Sequence, residues 1–221
     1  MLFRTQIQPV VRLWTRDDIP GIVACHRAVY PEYRTDDAYY DADNYIKQQQ
    51  AFPAGQLLVE VAGVVAAYAT SFIVQWPTTG APPRYQDLTD EGTFSNHQPT
   101  GDTLYGADIG VRPAYRGQGL SHLLYRERRR LLRSCNLQRV VAYGRIPGYS
   151  KHADRLSAQA YVDQVMAGEL NDPSLSVHLR MGYSVLGVYA GILEDEPSMN
   201  HCTLLEMTNP HFVHGQAQNS G

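Results

Sequence analysis

The chain has 221 residues, 43% hydrophobic and 19% charged, with a formal net charge of −3. That is enough for one well-packed globular domain, and it gives no case for a general attraction to nucleic acid. Cys25, Cys135 and Cys202 stand too far apart for a metal-ligand spacing or a disulfide framework, which suits a reducing, cytoplasmic compartment; the start lacks the apolar core of a signal peptide, and no apolar run reaches the roughly 18 residues of a membrane span.

Residues 8–14 read as a first strand, with Val10, Val11 and Leu13 as its β-prone members. Thr15-Arg16-Asp17-Asp18 before Ile19-Pro20 has the form of a helix start. That helix runs to about residue 29, burying Ile19, Ile22, Val23 and His26 or Ala28, and Pro31 marks its end. Residues 36–50 form a second helical stretch with Ala38, Tyr39, Tyr45 and Ile46 on its apolar side. Tyr30, Tyr33, Tyr39, Tyr40 and Tyr45 cluster here and are read first as packing residues. Residues 56–61 and 64–74 are two strands of a hairpin turned at Ala62-Gly63. Residues 75–101 are broken by proline and glycine, so a long loop with a short helical piece is expected. His97 and Asp87 in it read as ordinary loop polarity before any contact with a ligand.

Residues 103–111 form the central strand. Simple alternation puts Leu104, Gly106, Asp108 and Gly110 on one face, and Tyr105, Ala107, Ile109 and Val111 on the other. Asp108 is a carboxylate inside a buried strand. Burial would raise its pKa towards that of a general base; the competing reading is an aspartate bonded to a backbone N–H. A helix over residues 120–135 follows, with Leu120, Leu123, Leu124, Leu131 and Leu132 on its core side and Arg126, Arg128, Arg129, Arg130 and Arg133 mainly towards solvent. Between strand and helix lies Arg116-Gly117-Gln118-Gly119-Leu120-Ser121. A glycine-rich turn at a helix mouth aims unpaired N–H groups and the positive end of the helix dipole at one point, which suits a phosphate. Glycine lets the ligand approach the backbone, and Arg116 adds charge. No Lys-Ser/Thr pair follows the second glycine, as a P-loop needs, and there is no third glycine for a dinucleotide fingerprint.

Residues 138–146 are the next strand, stopped by Pro147-Gly148. Residues 148–170 hold a further helix over about 157–167. Asp172-Pro173 then opens another helix, which ends at Gly182. Residues 183–189 and 201–207 are the last strands, and residues 209–221 a frayed tail.

The turn resembles the acetyl-CoA loop of the GNAT (Gcn5-related) N-acetyltransferases: Arg or Gln, two residues, Gly, one residue, then Gly or Ala, here with Ser121 in the last place. The resemblance implies an α/β (α+β) GNAT fold: a mixed, mostly antiparallel sheet of about seven strands flanked by helices, splayed between strands 4 and 5. The domain would span residues 1–208, with the helical insertion after strand 5 as a departure. It further implies that Ile109, Gly110 and Val111 offer backbone groups to pantetheine, and that Arg116, Gly117, Gln118, Gly119, Leu120 and Ser121 take the pyrophosphate. The stretch ending at Gly182-Tyr183 resembles the family's Asn-x-x-Ala…Leu-Tyr…Gly-Phe. That places Asn171 on its cofactor-contacting asparagine, and His178 where many members have the tyrosine that protonates the CoA thiolate. A histidine there either donates a proton or merely packs. Gly101-Asp102-Thr103-Leu104-Tyr105-Gly106, Gly144-Arg145-Ile146-Pro147-Gly148-Tyr149 and Asp172-Pro173 resemble a GNAT subgroup often attached to nitrilase-like amidohydrolases, although 221 residues leave no room for a hydrolase part.

What this implies is transfer of an acetyl group from acetyl-CoA to a primary amine in one ternary complex, with Asp108 as base, His178 as candidate acid, and neither a metal nor a covalent intermediate. A homodimer is left open, and no nucleic-acid or membrane partner is expected. The alternative is a non-catalytic acyl-CoA-binding module that docks to a partner enzyme.

Overall fold

The computed structural model describes residues 8–32 and 40–215. Seven strands make one sheet: β1 (Val10–Leu13), β2 (Leu57–Val61), β3 (Val64–Val74), β4 (Thr103–Val111), β5 (Arg139–Arg145), β6 (Ser184–Ala190) and β7 (His201–Thr208), in the order β1-β2-β3-β4-β5-β7-β6. Every neighbouring pair is antiparallel except β4 and β5. The helices are α1 (Ile19–Val29), α2 (Ala42–Ala51), α3 (Tyr85–Thr89), α4 (Leu120–Ser134), α5 (Ala158–Met166) and α6 (Leu175–Arg180). None among the described residues is long and apolar enough to cross a membrane.

Both faces of the central strands are covered. On one, Ile19, Ile22 and Cys25 of α1 and Tyr45 of α2 pack with Leu58, Val65 and Tyr68. On the other, Leu120 and Leu124 of α4 pack with Leu57, Val59, Ala67 and Ala69. β3 is therefore buried at every position after Val64, which explains its near-continuous apolar sequence. The β2–β3 hairpin turns through Ala62 (φ 52°) and Gly63 (φ 76°), both in the left-handed region that a two-residue hairpin turn needs.

α5 falls where the insertion is expected, capped by Ser157. α6 ends as Gly182 foretells: at φ 84° its N–H donates to the Leu179 carbonyl, and that of Tyr183 to the His178 carbonyl. α2 starts at Ala42, capped by Asp41; the expected helical positions 36–39, with Ala38 and Tyr39, and Tyr33 before them, lie outside the described residues. The tail is not frayed at its start. Asn209 donates to the Leu137 carbonyl, and Asn136 and Val213 exchange two hydrogen bonds.

Simple alternation fails on β4. Thr70 pairs with Asp108 but Ser71 pairs with Gly106, leaving Ala107 as a bulge. The bulge puts Gly106 and Asp108 on opposite faces. A Cβ on Gly106 would meet Arg128 of α4, whereas one on Gly110 would meet Tyr68 and Val29 on the α1 side.

Candidate active site

β4 and β5 pair only at Thr103↔Arg139, Leu104↔Val140 and Tyr105↔Val141. Beyond Tyr105 they part, and the fork opens into a cavity of about 1090 Å³. The edge of β4 from Gly106 to Val111 forms one wall, and α6, β5 and the first turn of α4 complete that end. Asp108, Ile109, Gly110, Val111, Arg116, Gly117, Gly119, Leu120, Ser121 and His178 all line it. Gln118 and Asn171 do not: Gln118 turns its amide back towards the Ala114 carbonyl, and Asn171 is exposed. The neighbouring Asp172 is the structural residue, fully buried. Its oxygens accept from the N–H groups of Ser174 and Leu175 at the head of α6, and from Gly148 N–H and the Tyr161 hydroxyl of the insertion.

At the mouth of α4, Gly117 and Gly119 sit at φ 75° and 77°, with no heavy atom within 4 Å of where a Cβ would be. Backbone conformation, not crowding, demands glycine there. Among the described residues, no amide of residues 117–121 donates to another protein group. Arg116 reaches back to the Val111 carbonyl through Nε, at 3.2 Å. Open amides, helix dipole and an adjacent guanidinium make a site for a doubly charged phosphate group.

Asp108 lies on the α1 side of the cavity. It accepts hydrogen bonds from the Tyr30 hydroxyl at 2.5 Å, the Tyr68 hydroxyl, and the N–H of Ile109 at 2.7 Å. His26 Nδ1 lies 3.5 Å from its Oδ2 and 2.7 Å from the Tyr68 hydroxyl. Burial pushes the carboxyl up, but His26, Tyr30 and Tyr68 outweigh it, so Asp108 titrates below its ordinary value. This reverses the expectation of a raised, general-base pKa. The backbone N–H bond of the competing reading is present.

His178 is 6% exposed and set edge-on against Tyr125 and Tyr183, with Nδ1 3.1 Å from the Ser174 carbonyl. Burial lowers its pKa to about 4, and the charge of Arg128 adds to that. At neutral pH the ring is uncharged, with Nδ1–H donating to Ser174. The imidazolium that would return a proton to sulfur is not the prevailing form at that pH.

The reading of Arg128 as solvent-facing is also corrected. It is 2% exposed and lines the cavity. Nε donates to Ser71 Oγ at 3.0 Å, and Nη2 to the carbonyls of Thr70 at 3.0 Å and Asp108 at 2.9 Å. The signal was in the sequence: Arg128 lies on the i, i+4 line of Leu120, Leu124 and Leu132, the buried stripe of α4. The long loop contributes Tyr85 to the cavity, whereas Asp87 and His97 lie outside it; His97 stacks on Phe52. Among the described residues no group of three or more His, Cys, Asp or Glu is placed to hold a metal ion.

Residues 20–156 match the model of the acetyltransferase (GNAT) family. The chain is 34% identical over 202 residues to the uncharacterized N-acetyltransferase YkwB of Bacillus subtilis (strain 168), covering 91% of this chain and 89% of that one. It is 30% identical over 218 residues to the probable hydrolase YhcX of the same organism; this covers 98% of this chain but only 42% of that protein's length. Among solved structures, the GphF GNAT-like decarboxylase in complex with isobutyryl-CoA superposes with a TM-score of 0.75 at 20% identity, covering 90% of this chain and 98% of that chain. That likeness is one of fold.

Proposed function

This chain belongs to the GNAT acetyltransferase family, and we propose that it moves an acetyl group from acetyl-CoA to a primary amine by direct attack. The observation that carries the reading is the set of open amides at residues 117–121, at the head of a cavity that follows the unpaired edge of β4. Pyrophosphate sits on those amides, and the pantetheine arm runs along β4 at Ile109, Gly110 and Val111. The thioester then lies deep in the fork, level with Asp108, and the acceptor enters from the side of α1 and α2. There Asp108 is a fixed negative charge that draws in an ammonium. The ammonium gives up one proton to become the attacking neutral amine and a second after attack, and Asp108, a weak base, passes each on to water instead of keeping it. The amine and the thioester carbonyl meet in one complex, and neither a metal nor an acyl-enzyme is used.

A screen of amines with acetyl-CoA, read by release of free thiol, tests the reaction. Asp108→Asn is expected to cut turnover roughly 10²-fold while leaving calorimetric affinity for acetyl-CoA unchanged. Thiol release with no amine, and no heat with coenzyme A, would sink the reading. The second reading, an acyl-CoA-binding module without turnover, is favoured by one observation: the neutral His178 leaves the cavity without a proton donor at the position the family fills with tyrosine. Under that reading acetyl-CoA binds, no amine releases thiol, and Asp108→Asn changes nothing.

A further inference from the structure

Arg128 is a buried guanidinium whose charge the protein does not match. Its hydrogen-bond partners are a hydroxyl and two carbonyls, the Tyr125 ring centroid lies 6.0 Å from it and the Tyr183 phenol faces it, all of them neutral. Among the described residues no carboxylate comes within ion-pair distance; that of Asp108 is turned to the opposite face, bonded to Tyr30 and Tyr68. A buried charge with only neutral partners is costly unless an anion joins it. The charge sits at the closed end of the fork. Gly106, beside which the guanidinium lies, directly follows Tyr105, the last β4 residue paired to β5. The open amides are at the other end, past Val111. Five residues of strand, about 17 Å, separate Gly106 from Val111, and an extended pantetheine arm spans a comparable length. A ligand anchored on those amides and running down β4 therefore brings its sulfur end to Arg128.

We infer that Arg128 receives the thiolate expelled from the acyl-CoA and holds it as an ion pair, so that the leaving group departs without being protonated. The inference rests on the proposed function. The amine nitrogen forms a bond to the carbonyl carbon. The carbon–sulfur bond breaks with its electron pair on sulfur, the amine proton leaves to water past Asp108, and the thiolate stays against the guanidinium. The other groups facing Arg128 carry no rival charge. Tyr125 on its own helix and Tyr183 after α6 are phenols that burial pushes up, while Arg128 pulls them back; His178 is neutral. Arg128 thus supplies what the absent proton donor would.

The test is to titrate the thiol of free coenzyme A bound to the full chain by its thiolate absorbance in the ultraviolet. The bound thiol is expected to ionise about one pH unit or more below free coenzyme A, a tenfold shift in its acidity. The shift should vanish in Arg128→Met and survive in Arg128→Lys, while affinity for acetyl-CoA, which has no ionisable sulfur, stays within about threefold in both. A guanidinium that only clamps the β4 bulge would leave the thiol unshifted in the wild-type protein, and that outcome overturns the inference even if Arg128→Met does not fold. A malonyl-CoA preference over acetyl-CoA that Arg128→Met removes would overturn it too, by assigning the charge to an acyl carboxylate. If neither coenzyme A nor acetyl-CoA binds, the proposed function itself falls; an unshifted thiol in bound coenzyme A rejects only the role of Arg128.

Discussion

Two charges lie on opposite faces of one strand, and the protein treats them differently. Asp108 is completed from within: two tyrosine hydroxyls and a backbone N–H converge on it, with a histidine alongside. Arg128 is held in place but left electrically unmatched, its bonds going to Ser71, Thr70 and the Asp108 carbonyl. The two meet at a single residue, since the peptide carbonyl of Asp108 accepts from Arg128. A charge that the fold encloses in hydrogen-bond donors, with an imidazole alongside, can serve as a fixed field. One that the fold leaves unmatched is poised for an anion that arrives.

The strongest way to break that contrast is through the glycines on each side. A Cβ on Gly106 would lie 2.9 Å from Arg128 Nη1 and one on Gly110 2.8 Å from the Tyr68 ring. Gly106 lines the cavity, so Gly106→Val puts a branched side chain into its closed end as well as against the guanidinium, and is expected to cost about 3 kcal/mol of stability and to abolish acetyl-CoA binding by filling that space. Gly110→Ala presses on the Tyr68 ring and on Val29, leaves Arg128 untouched, and is expected to cost about 2 kcal/mol. It should lower turnover while acetyl-CoA still binds. Urea unfolding and calorimetry separate the two, and equal loss of acetyl-CoA affinity in both would dissolve the distinction between the faces.

On the Arg128 side, His178 gives a pH signature. Its folded pKa of about 4 lies below the ordinary value of 6.5, so below pH 6.5 the unfolded chain binds the proton first. Stability is therefore lost as pH falls from 6.5 towards 4, by on the order of 3 kcal/mol for this group, and the loss levels off below that. His178→Phe keeps ring contacts with Tyr125 and Tyr183 and removes the titration, so its stability should fall less over that window. Because the ring is neutral above pH 5, turnover between pH 7 and 9 should change by no more than a few-fold. A variant with no turnover would restore the histidine as an acid.

What could be read from the sequence divides along the same line. The loop at residues 117–121 was legible because its chemistry is local: glycines at fixed offsets, a strand before and a helix after. The splay of β4 from β5 followed from the family resemblance. The Asp108 site was not legible, because its partners come from positions 26, 30 and 68, and the competition between burial and those hydrogen bonds decides the sign of the pKa shift. The bulge at Ala107 was hidden as well, since nothing in the residues of β4 marks where the register with β3 slips. Arg128 was readable and misread. Charge suggested solvent, while spacing from Leu124 and Leu132 pointed inward, and on this helix spacing won. Asp172 was legible as the opening of α6, and its carboxylate accepts there from Ser174 and Leu175, whereas Asn171, expected at the cofactor, is exposed outside the cavity.

The smallest expected effect tests whether the phenols hold Asp108 as an ion. Tyr30→Phe removes one of the two hydroxyls that bond the carboxylate and is expected to cost about 1 kcal/mol at neutral pH. The acid limb is more informative. Asp108 has a folded pKa below 3.8, so as pH drops through the carboxylate range the unfolded chain takes up the proton before the folded one, and stability is lost on the way down to that folded value. With one phenol gone the folded carboxyl moves up towards 3.8, the gap between the two states narrows, and the variant should lose less stability than the wild type between about pH 5 and 2. Urea midpoints measured across that range check it. Parallel acid limbs in the two proteins would mean that the ionised Asp108 does not depend on Tyr30, and that Tyr68, the Ile109 N–H and His26 hold the charge without it.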